Sequence, residues 1–268
     1  MPGRRRRWDQ DWTRRRGRAG LHRCRLGRER RRLDRSLRVW DGRLQVHVKV
    51  AGSGPPAVYF HAAGGPQWDG FLQSLAERYT VYAPEHPGTS VGDPNAIDQV
   101  DDLWDLVLIY DEVLDQLGID SAVMLGQSYG GMVACEVAAN FPRRAGKLVL
   151  LEPAGLWRED APVANYMWAS PPELAAVGAA RLVWAVACTS KFVWPIPERG
   201  LAKRLHRITA DTLIIWGRQD KLIPVSYADE FASRIARSRV EIIDHAGHIP
   251  QLEQQQKTTD LVLAFLSG

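Results

Sequence analysis

The stretch Val123-Met124-Leu125-Gly126-Gln127-Ser128-Tyr129-Gly130-Gly131 decides how the chain is read. The apolar run from Ser121 to Leu125 has the length of a buried strand and ends on a glycine. The small-residue run Met132–Ala139 is helical in character and is stopped by Asn140-Phe141-Pro142. Between the two runs the chain must turn sharply. Glycines two residues either side of Ser128 remove the Cβ atoms that would clash where strand and helix cross. The Ser128 hydroxyl is thereby presented at the end of a sheet, beside helix N–H groups that can face an anion. Gly-x-Ser-x-Gly arises by chance too often to stand alone. Its context decides: a strand before, a helix after, and an acid and a histidine later in the chain.

Working outward, Leu37–Trp40 and Leu44–Val50 read as two strands around Asp41-Gly42, and Ala57–His61 as a third. Trp68–Arg78 reads as a helix, Tyr79–Ala83 as a strand and Pro84–Pro94 as a turn-rich loop. Ile97–Gly118 reads as one long helix stopped by its glycine. Beyond the central stretch, Lys147–Leu151 is a strand followed by Glu152-Pro153. Residues 154–210 then break the rhythm with Trp157, Trp168, Trp184, Trp194 and five prolines. The rhythm returns with strand Leu213–Gly217, helix Val225–Ala236, strand Arg239–Asp244 and helix Gln251–Leu266. Strands alternating with helices predict an α/β fold, a mainly parallel sheet flanked by helices. The block at about 154–210 is expected to be a short helical cap, inserted between two strands at the sheet end where Ser128 emerges.

Two further motifs follow the serine. Trp216-Gly217-Arg218-Gln219-Asp220 places an acid just past the carboxyl end of a buried strand, and Asp244-His245-Ala246-Gly247-His248 places a histidine past the next. Carboxyl ends of parallel strands are where open α/β sheets gather ligands. With Gly-x-Ser-x-Gly-Gly, Trp-Gly-x-x-Asp and Gly-His-x-Pro-x-x-Glu (Gly247–Glu253), residues 37–268 resemble the α/β-hydrolase superfamily, whose chain order of nucleophile, acid and base is that of Ser128, Asp220 and His248. The chemistry needs these residue types. A serine hydroxyl attacks well only if a base takes its proton, a neutral histidine is such a base, and a carboxylate fixes the tautomer and stabilises the imidazolium. One oxyanion donor is expected at Tyr129 N–H, directly after the nucleophile. The resemblance implies the second at Ala63, two residues past His61, with Ala62 standing where the family usually has glycine.

These positions have rivals. Glu152 ends the preceding strand, where a few family members keep the acid; Trp-Gly-x-x-Asp favours Asp220. His245 lacks the preceding glycine that His248 has, and His86 is read as a structural loop histidine. Glu253 is expected to cap or orient the last helix, and Cys135 to sit in the core.

Charge is unevenly spread. Residues 1–38 hold sixteen arginines against four acids, although the whole chain carries only +4. Residues 1–36 show no apolar period and are read as an arginine-rich, disordered tail. Its two readings are a nucleic-acid or anionic-surface arm and a dispensable segment from an upstream start codon, and the second is preferred. The three cysteines, Cys24, Cys135 and Cys188, share no metal-ligand spacing and read as free thiols. No apolar segment follows the N-terminal arginines as in a signal peptide, and no stretch is long enough to span a bilayer. A cytoplasmic protein is expected, with no membrane or nucleic-acid partner.

The expected function is cleavage of small to medium apolar carboxylic esters through an acyl-enzyme, with no cofactor and no metal, since neither a dinucleotide fingerprint nor a Cys/His ligand cluster is present. By resemblance, serine at the turn excludes the branches with an aspartate nucleophile. A carbon–carbon bond hydrolase of ring-cleavage products is the alternative; sequences of that branch often carry tryptophan after the catalytic histidine, where this chain has Ile249. A ligand-binding homologue with a vestigial triad is the non-enzymatic alternative.

Overall fold

A computed structural model describes residues 33–90, 93–164, 179–194 and 196–268. One eight-stranded sheet runs through these residues, in the spatial order β1-β2-β4-β3-β5-β6-β7-β8. Its strands are β1 (Arg35–Val39), β2 (Leu44–Gly52), β3 (Pro56–Phe60), β4 (Thr80–Pro84), β5 (Ala122–Gln127), β6 (Ala145–Leu151), β7 (Asp211–Gly217) and β8 (Ser238–Ile243). β2 is antiparallel to β1 and β4, and the remaining pairs are parallel. The helices are α1 (Gly70–Leu75), α2 (Leu103–Leu117), α3 (Tyr129–Asn140), α4 (Ala179–Val193), α5 (Tyr227–Ala232), α6 (Pro250–Glu253) and α7 (Gln255–Ser267). This is the α/β-hydrolase fold.

The period-two geometry of strands, with both sheet faces covered, explains why the centres of the core strands are apolar on both sides. Val58, Phe60, Met124, Leu148, Leu150, Ile214 and Trp216 join one core with α2 and α3. The residues between them, Ala57, Tyr59, Leu125, Val149, Leu151, Leu213 and Ile215, join the opposite core with α1 and α7. Both faces are covered, so neither can afford a polar alternation. α3 is buried on nearly all sides, which its small residues permit. Its one acid, Glu136, is 1% exposed and accepts from Arg204 Nε at 2.8 Å and Nη2 at 2.6 Å. This bidentate pair satisfies a charge that burial alone would expel, and it ties the chain between β6 and β7 to α3.

Several element boundaries differ from the sequence reading. The tail expected over residues 1–36 lies outside the described residues as far as residue 32. Arg35 and Ser36 belong to β1, paired with Val48 and His47, so ordered structure starts before the Leu37 boundary. The single helix expected over Ile97–Gly118 is two elements, a 3-10 turn over Pro94–Gln99 and then α2. Asp102 is the cause: its side chain accepts from Trp104 N and Asp105 N, capping a new start. The helix expected over Trp68–Arg78 contracts to α1, capped by Asp69 accepting from Leu72 N at 2.9 Å. The expected last helix is broken at Gln254, which has extended-side φ and ψ of −132° and 53°.

Between β6 and β7 the described residues include α4 and short 3-10 turns at Leu201–Lys203 and Leu205–Arg207. Trp168 lies outside the described residues. Trp184 donates from Nε1 to Gly88 O at 2.9 Å, fastening α4 to the loop after β4. No helix among the described residues is long and apolar enough to cross a membrane.

Candidate active site

The turn after β5 is as tight as its glycines require. A Cβ at Gly126 would lie 2.2 Å from Gly130 O, and one at Gly130 would lie 2.0 Å from Phe60 O. Ser128 itself has φ 53° and ψ −117°, outside the regions that L residues favour and costing about 1–3 kcal/mol. Three backbone bonds hold it there: Ser128 N to Leu151 O at 2.9 Å, and Met132 N and Ala154 N to Ser128 O at 3.1 and 2.9 Å. The strained residue is thus pinned by β6, by α3 and by the chain leaving β6.

The loops after β7 and β8 bring the other two side chains to it. His248 Nε2 lies 2.8 Å from Ser128 Oγ, and His248 Nδ1 lies 2.8 Å from Asp220 Oδ2. With a proton on Nδ1 donated to Asp220, Nε2 is left to accept from the serine hydroxyl; this tautomer follows from the hydrogen-bond pattern. Asp220 Oδ1 accepts from Leu222 N at 2.8 Å and Ile223 N at 3.0 Å, so the carboxylate is aimed by its own loop. All three side chains are nearly buried.

Residues that sequence reasoning missed fix the histidine loop. Gln127, the variable residue before the serine, donates from Nε2 to His248 O at 2.8 Å. Glu253, expected to cap or orient the last helix, accepts the N–H of Ile249 at the start of α6 and also reaches the loop before it. Its carboxylate accepts from Gly247 N at 2.7 Å and Ile249 N at 3.0 Å, clamping both neighbours of His248. The Gly-His-x-Pro-x-x-Glu spacing was the available signal for this role. His245 takes no part in the cluster: its carbonyl accepts from Gln254 Nε2 at 3.0 Å.

Behind the serine, His61 and His86 stitch two loops together. His61 Nδ1 donates to Ala62 O at 2.7 Å, while His61 Nε2 accepts from His86 N at 3.0 Å. His86 Nε2 donates to His61 O at 2.8 Å, and Tyr110 OH bonds His86 Nδ1. Burial holds His61 down at about 3, and burial together with His61 holds His86 well below the ordinary imidazole range. Both rings are therefore neutral hinges that shape the loop carrying Ala63, and His86 packs edge-on against Tyr129 with centroids 4.9 Å apart. Ala63 and Tyr129 line the same cavity as Ser128 and His248. Cys135 is fully buried in the core.

That cavity measures about 200 Å³ and is walled by Trp157, Val186, Val193, Trp194, Leu222 and Ile223. Among the described residues lining it there is no Asp, Glu, Lys or Arg. A larger groove of about 520 Å³ beside α2 includes Asp102, Lys191 and Arg204, but it brings together no nucleophile and base.

Glu152, the rival acid, is also present. It is fully buried, its Oε1 accepts from Gly217 N at 2.6 Å, and its Oε2 lies 3.8 Å from His248 Nδ1. Burial, reinforced by the Asp220 charge, pushes its carboxyl up to about 10. Glu152, Asp220 and His248 have ligand atoms within 4.8 Å of one another. His248 Nδ1 and Asp220 Oδ2 are in direct hydrogen-bond contact, and an Nδ1 that donates its proton to Asp220 has no lone pair to offer an ion.

The raised Glu152 carboxyl has a consequence for stability. The folded protein keeps a proton that the unfolded chain releases above about 4.5, so stability falls as pH climbs from there toward about 10. Glu152→Gln, isosteric with the neutral acid, does not ionise in either state. It should melt several degrees above the wild type near pH 8.5, with the gap closing toward pH 4.5. Melting curves that run parallel for the two proteins across this range would show that Glu152 is ionised in the fold.

A mostly parallel sheet carrying a serine on a strand-turn-helix crossing, with an acid and a histidine delivered by the ends of β7 and β8, defines the class as an α/β-fold hydrolase. The chain belongs to the alpha/beta hydrolase family, whose family model matches residues 50–261. It is 25% identical to a 2-hydroxy-6-oxo-6-phenylhexa-2,4-dienoate hydrolase of Burkholderia cepacia, over 84% of this chain and 92% of that one. It is 26% identical to a pimeloyl-[acyl-carrier protein] methyl ester esterase of Nitrosomonas europaea, over 77% of this chain and 94% of that one. A meta-cleavage product hydrolase from Pseudomonas fluorescens superposes with a TM-score of 0.70 at 20% identity, covering 87% of this chain and 97% of that one.

Proposed function

We propose that this protein is a serine hydrolase that cleaves esters of small to medium apolar acyl groups through an acyl-enzyme on Ser128. His248 Nε2 takes the hydroxyl proton as Oγ attacks the ester carbonyl, and Asp220 stabilises the imidazolium that forms. The N–H groups of Tyr129 and Ala63 receive the oxyanion, each worth about 3–4 kcal/mol in the transition state. His248 then protonates the departing alcohol, and water, activated by the same nitrogen, releases the acid. Side chains, backbone and water supply every step. Cys135 and Cys188 are free, buried thiols, in keeping with a reducing, cytoplasmic setting for this activity.

The observation that carries this reading is the cavity. It is apolar, it opens on Ser128 and His248, and its described lining offers no cation to an anionic substrate. Its volume of about 200 Å³ exceeds the roughly 150 Å³ that accepts a benzene and falls short of the roughly 300 Å³ where drug-sized sites begin. Among p-nitrophenyl esters, kcat/KM should therefore be highest for butyrate to octanoate or a benzoate, and at least about 100-fold lower for palmitate. Trp157→Ala and Trp194→Ala should raise KM for the aromatic ester more than for acetate. Equal rates on acetate, octanoate and palmitate would contradict a closed acyl pocket.

A second reading is hydrolysis of a carbon–carbon bond in a ring-cleavage product, favoured by the dienoate hydrolase among the relatives. Ile249 after the histidine and the uncharged described lining weigh against it. Faster turnover of a vinylogous diketo acid than of any ester in the panel would establish it.

A further inference from the structure

Two carboxyl groups converge on His248, and the mechanism above uses one. Glu152 enters the site from the end of β6 with φ 48°, a left-handed conformation that a non-glycine residue adopts only under constraint. Its backbone N–H is held by Ile215 O at 3.0 Å, and its Oε1 by Gly217 N. The remaining oxygen, Oε2, is buried without a hydrogen-bond partner and points to within 3.8 Å of His248 Nδ1. An unsatisfied buried carboxyl oxygen is costly, and this one sits beside the very ring nitrogen that Asp220 engages at 2.8 Å.

We propose that Glu152 is a latent second partner of the His248 imidazole, placed to take Nδ1–H in place of Asp220. The inference rests on the Ser128–His248–Asp220 reading and goes beyond it by giving the β6 acid a positioning role. While Asp220 carries the charge, Glu152 stays protonated, because a second buried anion so close would be repelled. Removing Asp220 takes away that repulsion and opens space and water beside Oε2. The Glu152 proton then passes to solvent, and the carboxylate left behind accepts Nδ1–H and holds the imidazole with Nε2 toward Ser128. The charged and polar groups facing Glu152 are Asp220, His248, Glu253 and the Gly217 N–H. With Asp220 gone, the negative field of Glu253 and the remaining burial still hold the Glu152 carboxyl above the ordinary carboxylate range. The takeover therefore strengthens as pH rises.

Side-chain size separates the possible substitutions. Asp220→Asn fills the gap and offers an N–H toward Nδ1, blocking Glu152. Asp220→Ala opens the gap. The smaller residue should thus leave the more active protein, by a margin that Glu152→Gln removes.

The test compares wild type, Asp220→Ala, Glu152→Gln and the double variant by the second-order rate of Ser128 labelling with a fluorophosphonate between about pH 6 and 10. This readout depends on serine activation and not on which bond the natural substrate breaks. Glu152→Gln, which resembles the neutral acid, should label a few-fold more slowly than wild type. Asp220→Ala should lose about 100-fold near neutrality, regain at least about tenfold by pH 9.5, and exceed Asp220→Asn throughout. The double variant should lose about another 100-fold and show no alkaline recovery. Where Asp220→Ala does not fold, as judged by circular dichroism, Asp220→Ser keeps one acceptor for the Leu222 and Ile223 N–H groups and carries the same comparison. Equal labelling of the single and double variants at every pH would overturn the proposal. A wild-type protein that does not label would remove the triad itself, and the inference with it.

Discussion

Ser128→Ala lowers turnover of p-nitrophenyl butyrate by on the order of a millionfold and leaves the melting temperature nearly unchanged. The size of the loss follows from what the hydroxyl does in the proposed reaction. Without Oγ no acyl-enzyme forms, and His248 has no nucleophile to deprotonate. What survives is binding and oxyanion stabilisation, a small residue of the original rate. The fold survives because Ser128 is held by backbone bonds to Leu151, Met132 and Ala154 rather than by its side chain. Alanine adopts φ 53° with the same strain as serine, so no new cost appears. Retention of more than about a hundredth of the activity would move the nucleophile elsewhere.

Asp220→Asn comes next, with an expected loss of about 1,000- to 10,000-fold in kcat and little change in KM. The amide oxygen can keep the hydrogen bonds from Leu222 N and Ile223 N, so the loop stays in place. The amide nitrogen then faces His248 Nδ1 and favours the tautomer with its proton on Nε2, which cannot accept from Ser128. Substrate binding is untouched because Asp220 is not among the residues walling the cavity. In the wild-type background Glu152→Gln should cost only a few-fold on the same substrate. The opposite ranking, with both variants folded, would make Glu152 the working acid.

Much of this site was legible in the sequence because each key side chain sits within a few residues of a buried strand's end. Ser128, Asp220 and His248 were placed by local signals, the glycines of the turn, Trp216-Gly217 and Gly247, and the structure brings all three into hydrogen-bond contact. The parallel sheet was legible as well, from strands alternating with helices. Other features depended on contacts that no local pattern carries. Gln127 reaches His248 across 121 positions of chain, and nothing about a glutamine in the variable place of a turn motif announces that partner. Glu253 looked like a helix cap because acids near helix starts commonly are. It does hold the N–H of Ile249 at the start of α6, and it serves the histidine loop as well because Gly247 presents a second N–H to it. The Ile97–Gly118 run misled by apolar periodicity. A single capping side chain, Asp102, restarts the helix and overrides that periodicity. Glu152 stands in the sequence as an alternative to Asp220, whereas the structure places both acids beside one imidazole, Asp220 in hydrogen-bond contact and Glu152 at 3.8 Å.

Trapping the acyl-enzyme puts the role of Ser128 to a direct test. Wild-type protein mixed with excess p-nitrophenyl butyrate and quenched in acid within milliseconds is digested and its peptides weighed. A burst of p-nitrophenol and one butyryl group on the peptide containing Ser128 are expected, both absent from Ser128→Ala. A burst with the acyl group on Cys188 or any other residue, or steady turnover by Ser128→Ala at the wild-type rate, would contradict that role.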